Sequence, residues 1–188
     1  MHLNNVVAFD IELFPNYFLV SFKHVETGKV VSFELKSKVE AIKDPERDRV
    51  MNLLSKRIIV GFNSNNYDIP ILTQYLRRSS VEYLKKLSDH IVNSSSPGWM
   101  TMKNFGIEPV PMNHIDLMEP APGVMVSLKL YGARLHSQRL QDLPYPPDKT
   151  LTKKEMDAVL AYCENDLDTT IDLFHAIKPN LELREKIG

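Results

Sequence analysis

The sequence predicts an α/β fold in which a mixed sheet of five strands is flanked by helices. Two observations predict it. Three strand-like segments follow one another at the start of the chain, and from residue 46 onwards helix-like and strand-like segments alternate. A chain of 188 residues is long enough for one domain with a hydrophobic core. We therefore expect residues 1–188 to form a single domain.

The first three strands are predicted from apolar, aromatic and β-branched residues. Residues 6–9 form an apolar run that turns acidic over residues 10–12, as expected of a buried strand that ends at a surface. Residues 17–25 and 30–35 are two further strand-like segments, and the turn sequence of residues 26–29 lies between them. The last two segments therefore predict a β-hairpin.

Helices and one more strand are predicted for the middle of the chain. Residues 46–54 fit a short helix, and residues 57–62 fit a buried strand. Pro70 suits the first turn of a helix that runs towards Arg78. Residues 79–82 have the sequence of a capping box, which predicts another helix to about residue 92.

The later part of the chain contains a predicted loop, a short strand and two helices. Residues 93–112 are rich in helix breakers and predict a long loop, and residues 114–117 predict a fifth strand. Residues 127–135 predict a helix, and residues 144–147 a connector. A capping box at residues 152–155 predicts a long final helix. Its apolar face consists of Met156, Leu160, Cys163, Leu167, Ile171 and Phe174.

Charge and composition exclude several classes of protein. With 23 basic and 24 acidic residues, the chain lacks the basic excess of a protein that coats long nucleic acid. It is compatible with one that grips a short end or is tethered by a partner. The single cysteine excludes an internal disulfide and a cysteine-based zinc cluster. No membrane-length apolar run and no secretory signal are present, so we expect a cytoplasmic protein without a membrane partner.

Two acidic residues end the first predicted strand. Asp10 and Glu12 are two positions apart, so both side chains leave the same face of the strand. An isolated Asp-x-Glu pair is most often a solvated strand end. Here the pair follows a run that is apolar enough for the centre of a sheet, and α/β folds bind ligands at such strand ends. Two neighbouring carboxylates repel each other unless a cation compensates their charge.

Three further residues are candidates for the same site. Asp68 lies at a strand-to-helix junction, where it is either a helix cap or a carboxylate delivered to a site. Tyr162 and Asp166 are four apart and share one face of the final helix. Such a pair is usually ordinary surface. A tyrosine hydroxyl one turn from a metal-binding carboxylate is, however, well placed to orient an attacking water.

Four carboxylates and one phenol therefore come from two strand ends and two helices. Hard oxygen ligands of this kind select Mg²⁺ or Mn²⁺. Two such ions roughly 4 Å apart promote in-line hydrolysis of a phosphodiester. The set predicts release of one nucleoside monophosphate at a time.

With these motifs in order, the sequence resembles the DnaQ-like, or DEDD, 3′–5′ exonucleases, which have a ribonuclease-H-like fold. Residues 9–12 match the first motif, Asp-x-Glu after an apolar strand, and residues 63–68 match the second. Residues 162–166 match the Tyr-x-x-x-Asp form of the third, which marks the DEDDy branch; the histidine branch would have His near position 161, where this chain has Ala161.

The resemblance implies a role for each matched residue. Two Mg²⁺ or Mn²⁺ ions would be held by the four carboxylates, Tyr162 would position the water, and Asn63 would contact the substrate. The metal ligands implied in this way are Asp10, Glu12, Asp68 and Asp166.

Within this branch, residues 10–16 and 128–144 are similar to the exonuclease domains of bacteriophage DNA polymerases. The family commonly has Thr where this chain has Leu13, and Leu removes a possible contact to the terminal nucleotide. The resemblance implies a single-stranded DNA 3′ end as substrate, a role in proofreading or DNA processing, and a DNA polymerase or replication protein as partner. We expect either a freestanding exonuclease or the N-terminal part of a larger polymerase-like protein, in the host cytoplasm if phage-encoded.

Other residues allow two interpretations. Lys129 and Arg134 lie in a basic cluster that is either surface helix or a contact to strand phosphates. Phe14 and Tyr17 either stack on the terminal base or belong to the core. Asp116 ends the fifth strand, and we interpret it as a strand-end or capping residue.

Two other functions remain open at this stage. An exoribonuclease of the same fold is one, because the motifs do not read the 2′-hydroxyl. A catalytically silent nucleic-acid-binding module is the other. The complete ligand set argues against the silent module, since loss of a carboxylate is the simplest sign of an inactive site.

Overall fold

The computed structural model describes residues 5–94, 96–119 and 143–187, without the side chains of residues 184–187. In these ranges the chain forms one five-stranded sheet with the strand order β3-β2-β1-β4-β5. The strands are β1 (Val6–Phe14), β2 (Tyr17–His24), β3 (Val30–Leu35), β4 (Ile58–Gly61) and β5 (Asn113–Asp116).

The sheet is mixed, and β1 lies at its centre. Strands β1, β2 and β3 form an antiparallel meander. Strand β4 pairs with β1 in parallel, and β5 pairs in parallel with β4. Helices flank this sheet, so the predicted α/β fold with a mixed five-stranded sheet is confirmed.

The two faces of the sheet are covered by different helices. The helices are α1 (Asp44–Lys56), α2 (Asp68–Leu76), α3 (Val81–Ser94), α4 (Gly98–Asn104) and α5 (Lys153–Ile187). Odd-numbered residues of β1 belong to the core that includes α1, α2 and α3. Even-numbered apolar residues of β1 belong to the two smaller cores that α5 completes. Because side chains alternate along a strand, Asp10 and Glu12 point to the α5 face.

Two sets of hydrogen bonds fix the position at which α5 begins. Thr152 N–H donates to Glu155 Oε2 at 2.8 Å, and Glu155 N–H donates to Thr152 Oγ1 at 3.4 Å, which confirms the predicted capping box. Just before it, Asn16 in the β1–β2 turn donates to Leu151 O at 2.9 Å and accepts from Leu151 N–H at 2.8 Å. These bonds fix the start of α5 relative to β1.

The prediction of a loop over residues 93–112 is wrong for the middle of that segment, where α4 forms. The Pro97-Gly98 sequence indicates a break, but Gly98 fits against the Asn65 backbone so closely that a Cβ would lie 1.9 Å from Asn65 O. Gly98 N–H also donates to Asn66 Oδ1 at 2.9 Å. This seven-residue helix depends on tertiary contacts that local propensity does not report.

The start of α3 also differs from the prediction by one residue. Tyr83 N–H donates to Ser80 Oγ at 3.4 Å, whereas Ser79 Oγ donates to Gln74 Oε1 at 2.9 Å. Ser80 therefore caps α3 in place of Ser79. The helix predicted for residues 127–135 lies outside the described residues.

None of the helices in the described ranges is both long enough and apolar enough to cross a membrane.

Candidate metal centre

Three carboxylates converge where α5 crosses β1. Ligand oxygens of Asp10, Glu12 and Asp166 all lie within 4.8 Å of one another. The first two come from the same face of β1, and Asp166 comes from the helix that packs on that face. All three are half-buried. These residues can together hold a metal ion.

Without a bound cation, the environment of the cluster disfavours the ionised form of its carboxylates. Burial, and secondarily the negative charge of Asp166, raise the pKa of Asp10 to about 7. The Cys163 thiol, 3.6 Å from Asp10 Oδ2, donates to that oxygen and opposes the rise. A divalent cation would remove the repulsion between the carboxylates, because it would be the largest local charge in the site.

Asp68 lies beside this cluster but outside the group of three. It is 6% exposed and is the first residue of α2, while Tyr67 occupies the cap position, so Asp68 is not the helix cap. Burial, and then the charge of Asp10, raise the pKa of Asp68 well above its ordinary value. Its Oδ1 atom is buried and has no hydrogen-bond partner among the described residues. A buried acceptor of this kind is costly unless a cation or donor satisfies it.

Tyr162 lies next to the cluster, and its phenol keeps its proton. It is 7% exposed, and burial, followed by the charges of Asp166 and Glu12, raises its pKa. Its hydroxyl is hydrogen-bonded to the Asp166 carboxylate. A phenol that keeps its proton can donate one hydrogen bond and accept others.

Asp116 has the capping role that the sequence predicts. Its carboxylate accepts the backbone N–H of Asn65 at 2.9 Å and that of Met118 at 3.0 Å. On the same strand, His114 Nε2 lies 2.8 Å from Ser64 Oγ. Burial lowers the pKa of His114 to about 4, so the ring is neutral. Strand β5 therefore holds the loop that leads into Asp68.

The contacts of His114 and Cys163 were not found from the sequence. His114 and Asp116 are two apart on one strand, which is the only local signal that they act on the same loop. Cys163 lies on the apolar stripe of α5, where nothing in its spacing distinguishes it from a core residue.

The prediction that Phe14 and Tyr17 stack on the terminal base is wrong. The two side chains are 1% and 0% exposed, and they pack in the core that the first turns of α5 complete. Tyr17 additionally donates its hydroxyl to Glu34 Oε1 at 2.6 Å. No ring face is open to a base, so both residues belong to the core.

The remaining predicted substrate contacts have different outcomes. Asn63 has a φ of 53°, which asparagine tolerates, and its Oδ1 accepts a hydrogen bond from Asn66 Nδ2 at 2.8 Å. It lines a cavity of about 470 Å³, and its contact with substrate stays a prediction. Lys129 and Arg134 lie outside the described residues.

Comparison of the chain with known protein families and with curated proteins gives no match. The assignment of a function therefore depends on the motifs and on the geometry of this site.

The raised pKa values predict that the metal-free protein becomes less stable as the pH rises. A folded Asp10 with a pKa of about 7, against an ordinary 3.8, keeps a proton that the unfolded chain has lost. This contribution is complete below pH 3.8 and is lost as pH rises through 7. We expect Tm in EDTA to be several degrees lower at pH 8 than at pH 5, since about 1 kcal/mol corresponds to ~2–4 °C at this size.

Mg²⁺ should reverse this loss, because metal binding requires ionised carboxylates. The stabilisation by Mg²⁺ in a thermal melt should therefore grow between pH 5 and pH 8. Asp10→Asn should remove most of the loss of Tm at high pH and most of the stabilisation by Mg²⁺. Asp168 is an exposed residue of α5, so Asp168→Asn should keep both effects. A flat pH profile in EDTA, together with no shift by Mg²⁺ at pH 8, would contradict the description of the cluster.

Proposed function

We propose that the chain is a metal-dependent 3′–5′ exonuclease that hydrolyses the terminal phosphodiester of single-stranded DNA and releases 5′-mononucleotides. The observation that carries the proposal is the convergence of Asp10, Glu12 and Asp166 within 4.8 Å, with Asp68 beside them. The strand order, with β4 and β5 parallel to β1 and the meander on its other side, is compatible with the ribonuclease-H-like core that the motifs imply.

The residues of the cluster fit two Mg²⁺ or Mn²⁺ ions. All the donors are carboxylate oxygens, which these cations prefer. The charge of Asp166 raises the pKa of Asp10, and the charge of Asp10 raises the pKa of Asp68, so Asp10 lies near both of these carboxylates. Asp68 Oδ1, to which none of the described residues donates a hydrogen bond, provides a ready acceptor. When bound, such a pair of ions activates a water and stabilises the leaving oxygen of a phosphodiester.

The role of Tyr162 follows from its protonation. Its hydroxyl shares a hydrogen bond with Asp166. If the phenol donates to Asp166, its own oxygen retains lone pairs that accept a hydrogen bond from the attacking water. Tyr162 then orients the water, while Asp166 holds the phenol in place. The side chain thus acts by position and not by removing a proton.

Two aspartates on α5 provide a matched test of the ligand set. Asp166 belongs to the cluster, whereas Asp168 is exposed and pairs with Lys23. Asp166→Asn should abolish release of mononucleotides from a labelled single-stranded DNA, because it removes a negative ligand without changing shape. Asp168→Asn should retain nearly wild-type activity. EDTA should abolish wild-type activity, and Mg²⁺ or Mn²⁺ should restore it.

Polarity and sugar preference are measured in the same assay. A 3′-blocked strand and a circular single strand should both resist hydrolysis, and RNA of the same sequence should be cut more slowly. Faster cutting of RNA would favour the exoribonuclease. Full activity of the Asp166→Asn protein, or of the wild type in chelator, would overturn the proposed mechanism.

Tyr162→Phe tests whether the hydroxyl takes part in the reaction. The change keeps the buried ring and removes only the group that bonds to Asp166. We expect kcat to fall by roughly 10²-fold or less, the low end for a group acting on a proton or a water, with KM little changed. Single-turnover cleavage at saturating enzyme measures the effect, and a thermal melt controls for folding. A wild-type rate in a folded Tyr162→Phe protein would remove Tyr162 from the mechanism.

A further inference from the structure

We propose that a groove next to the carboxylate cluster binds a phosphate of the nucleic-acid backbone, and that Lys85 is the cation that binds it. In this proposal the phosphate replaces Asp148 as a partner of Lys85. The inference rests on the proposed function, because it concerns how the substrate strand reaches the same site.

The groove and the carboxylate cluster share one residue. The groove has a volume of about 450 Å³, and Glu12 of the cluster lies on its wall. Lys85, Ser88 and Asn93 of α3 line it as well. A strand that occupies the groove therefore lies directly beside the proposed metal ligands.

The groove is lined by side chains that can donate hydrogen bonds to a phosphate and also by the carboxylates of Glu12, Asp89 and Asp148. Lysine, serine, asparagine and tyrosine side chains commonly donate to phosphate oxygens. Tyr67 and Ser88 also line the groove, and their hydroxyls are hydrogen-bonded to each other at 2.8 Å. Among the described residues that line the groove, Lys85 is the only lysine or arginine. Among these described residues, Lys85 is thus the one cation for a phosphate, and two of the three carboxylates that line the groove, Asp89 and Asp148, already pair with it.

Lys85 forms ion pairs with two carboxylates, and these two partners differ in how firmly they are held. Its side chain is 10% exposed, and its ammonium pairs with Asp89 one turn along α3. The second partner is Asp148, at 3.3 Å from Nζ and 90% exposed. A buried cation needs a counter-charge, but Asp148 is already almost fully in water and loses little by leaving. A phosphate that takes its place keeps Lys85 compensated.

The alternative is that the Lys85–Asp148 pair merely fastens residues 143–152 to α3. That segment is already held by the two hydrogen bonds between Asn16 and Leu151 and by the buried Leu151 side chain. The Lys85–Asp148 ion pair is long and is exposed to solvent on the Asp148 side. Ion pairs of this kind contribute little to the stability of the fold. This arrangement favours an exchangeable partner.

Three variants test the proposal by fluorescence anisotropy with a short labelled oligo(dT), in Ca²⁺ to slow hydrolysis. Lys85→Met should weaken binding about tenfold or more and reduce the slope of log K against log[salt] by about 0.7, the value for one lost single-strand contact. Lys86→Met is the matched control, because Lys86 is exposed on the same helix and pairs with Glu82. It should bind within about twofold of wild type. Asp148→Asn should tighten binding, because it removes the competitor for Lys85.

The outcomes separate this inference from the proposed function. Binding by Lys85→Met that equals binding by Lys86→Met, in a protein whose wild type hydrolyses DNA, would overturn the phosphate site alone. A wild type that neither binds nor hydrolyses DNA would overturn both proposals. If Lys85→Met does not fold, Asp148→Asn decides, since an exposed residue can be changed without loss of the fold. Weaker or unchanged binding by Asp148→Asn would show that the pair is a structural fastening.

Discussion

The packing of α5 on the even-numbered face of β1 is the constraint on which the candidate site depends. Apolar residues before and after Asp10 and Glu12 on that face are buried by α5. Each buried side chain contributes about 1.5–3 kcal/mol. A pKa displaced from 3.8 to about 7 corresponds to several kcal/mol at roughly 1.4 per unit, so a few such contacts outweigh the cost of burying the Asp10 carboxylate next to Asp166. The fold therefore holds carboxylates together that would separate in water.

Asp116 at the end of β5 and Asp68 at the start of α2 differ in the hydrogen bonds that their carboxylate oxygens accept. Asp116 ends β5, and two backbone N–H groups occupy its carboxylate. Asp68 follows β4, and its buried Oδ1 has no partner among the described residues. Asp116 therefore stabilises the loop, whereas Asp68 keeps one buried acceptor atom that none of the described residues satisfies. The distinction supports the assignment of Asp68, and not Asp116, as the fourth carboxylate of the site.

The sequence predicted those features that depend on periodicity or on local hydrogen bonding. Alternation along β1 puts Asp10 and Glu12 on one face, helical spacing puts Tyr162 and Asp166 together, and the capping box marks where α5 begins. Features that depend on tertiary contacts were missed. Phe14 next to a turn resembles a surface residue until α5 covers it, and Lys85 resembles its exposed neighbour Lys86.

The central claim is that the converging carboxylates hold divalent cations. Anomalous diffraction from crystals soaked in Mn²⁺ tests it most directly, because it locates the ions without reference to activity. The account predicts two anomalous peaks roughly 4 Å apart, both next to Asp10 and flanked by the other three carboxylates. No peak at the cluster, with Mn²⁺ bound elsewhere or not at all, would contradict it.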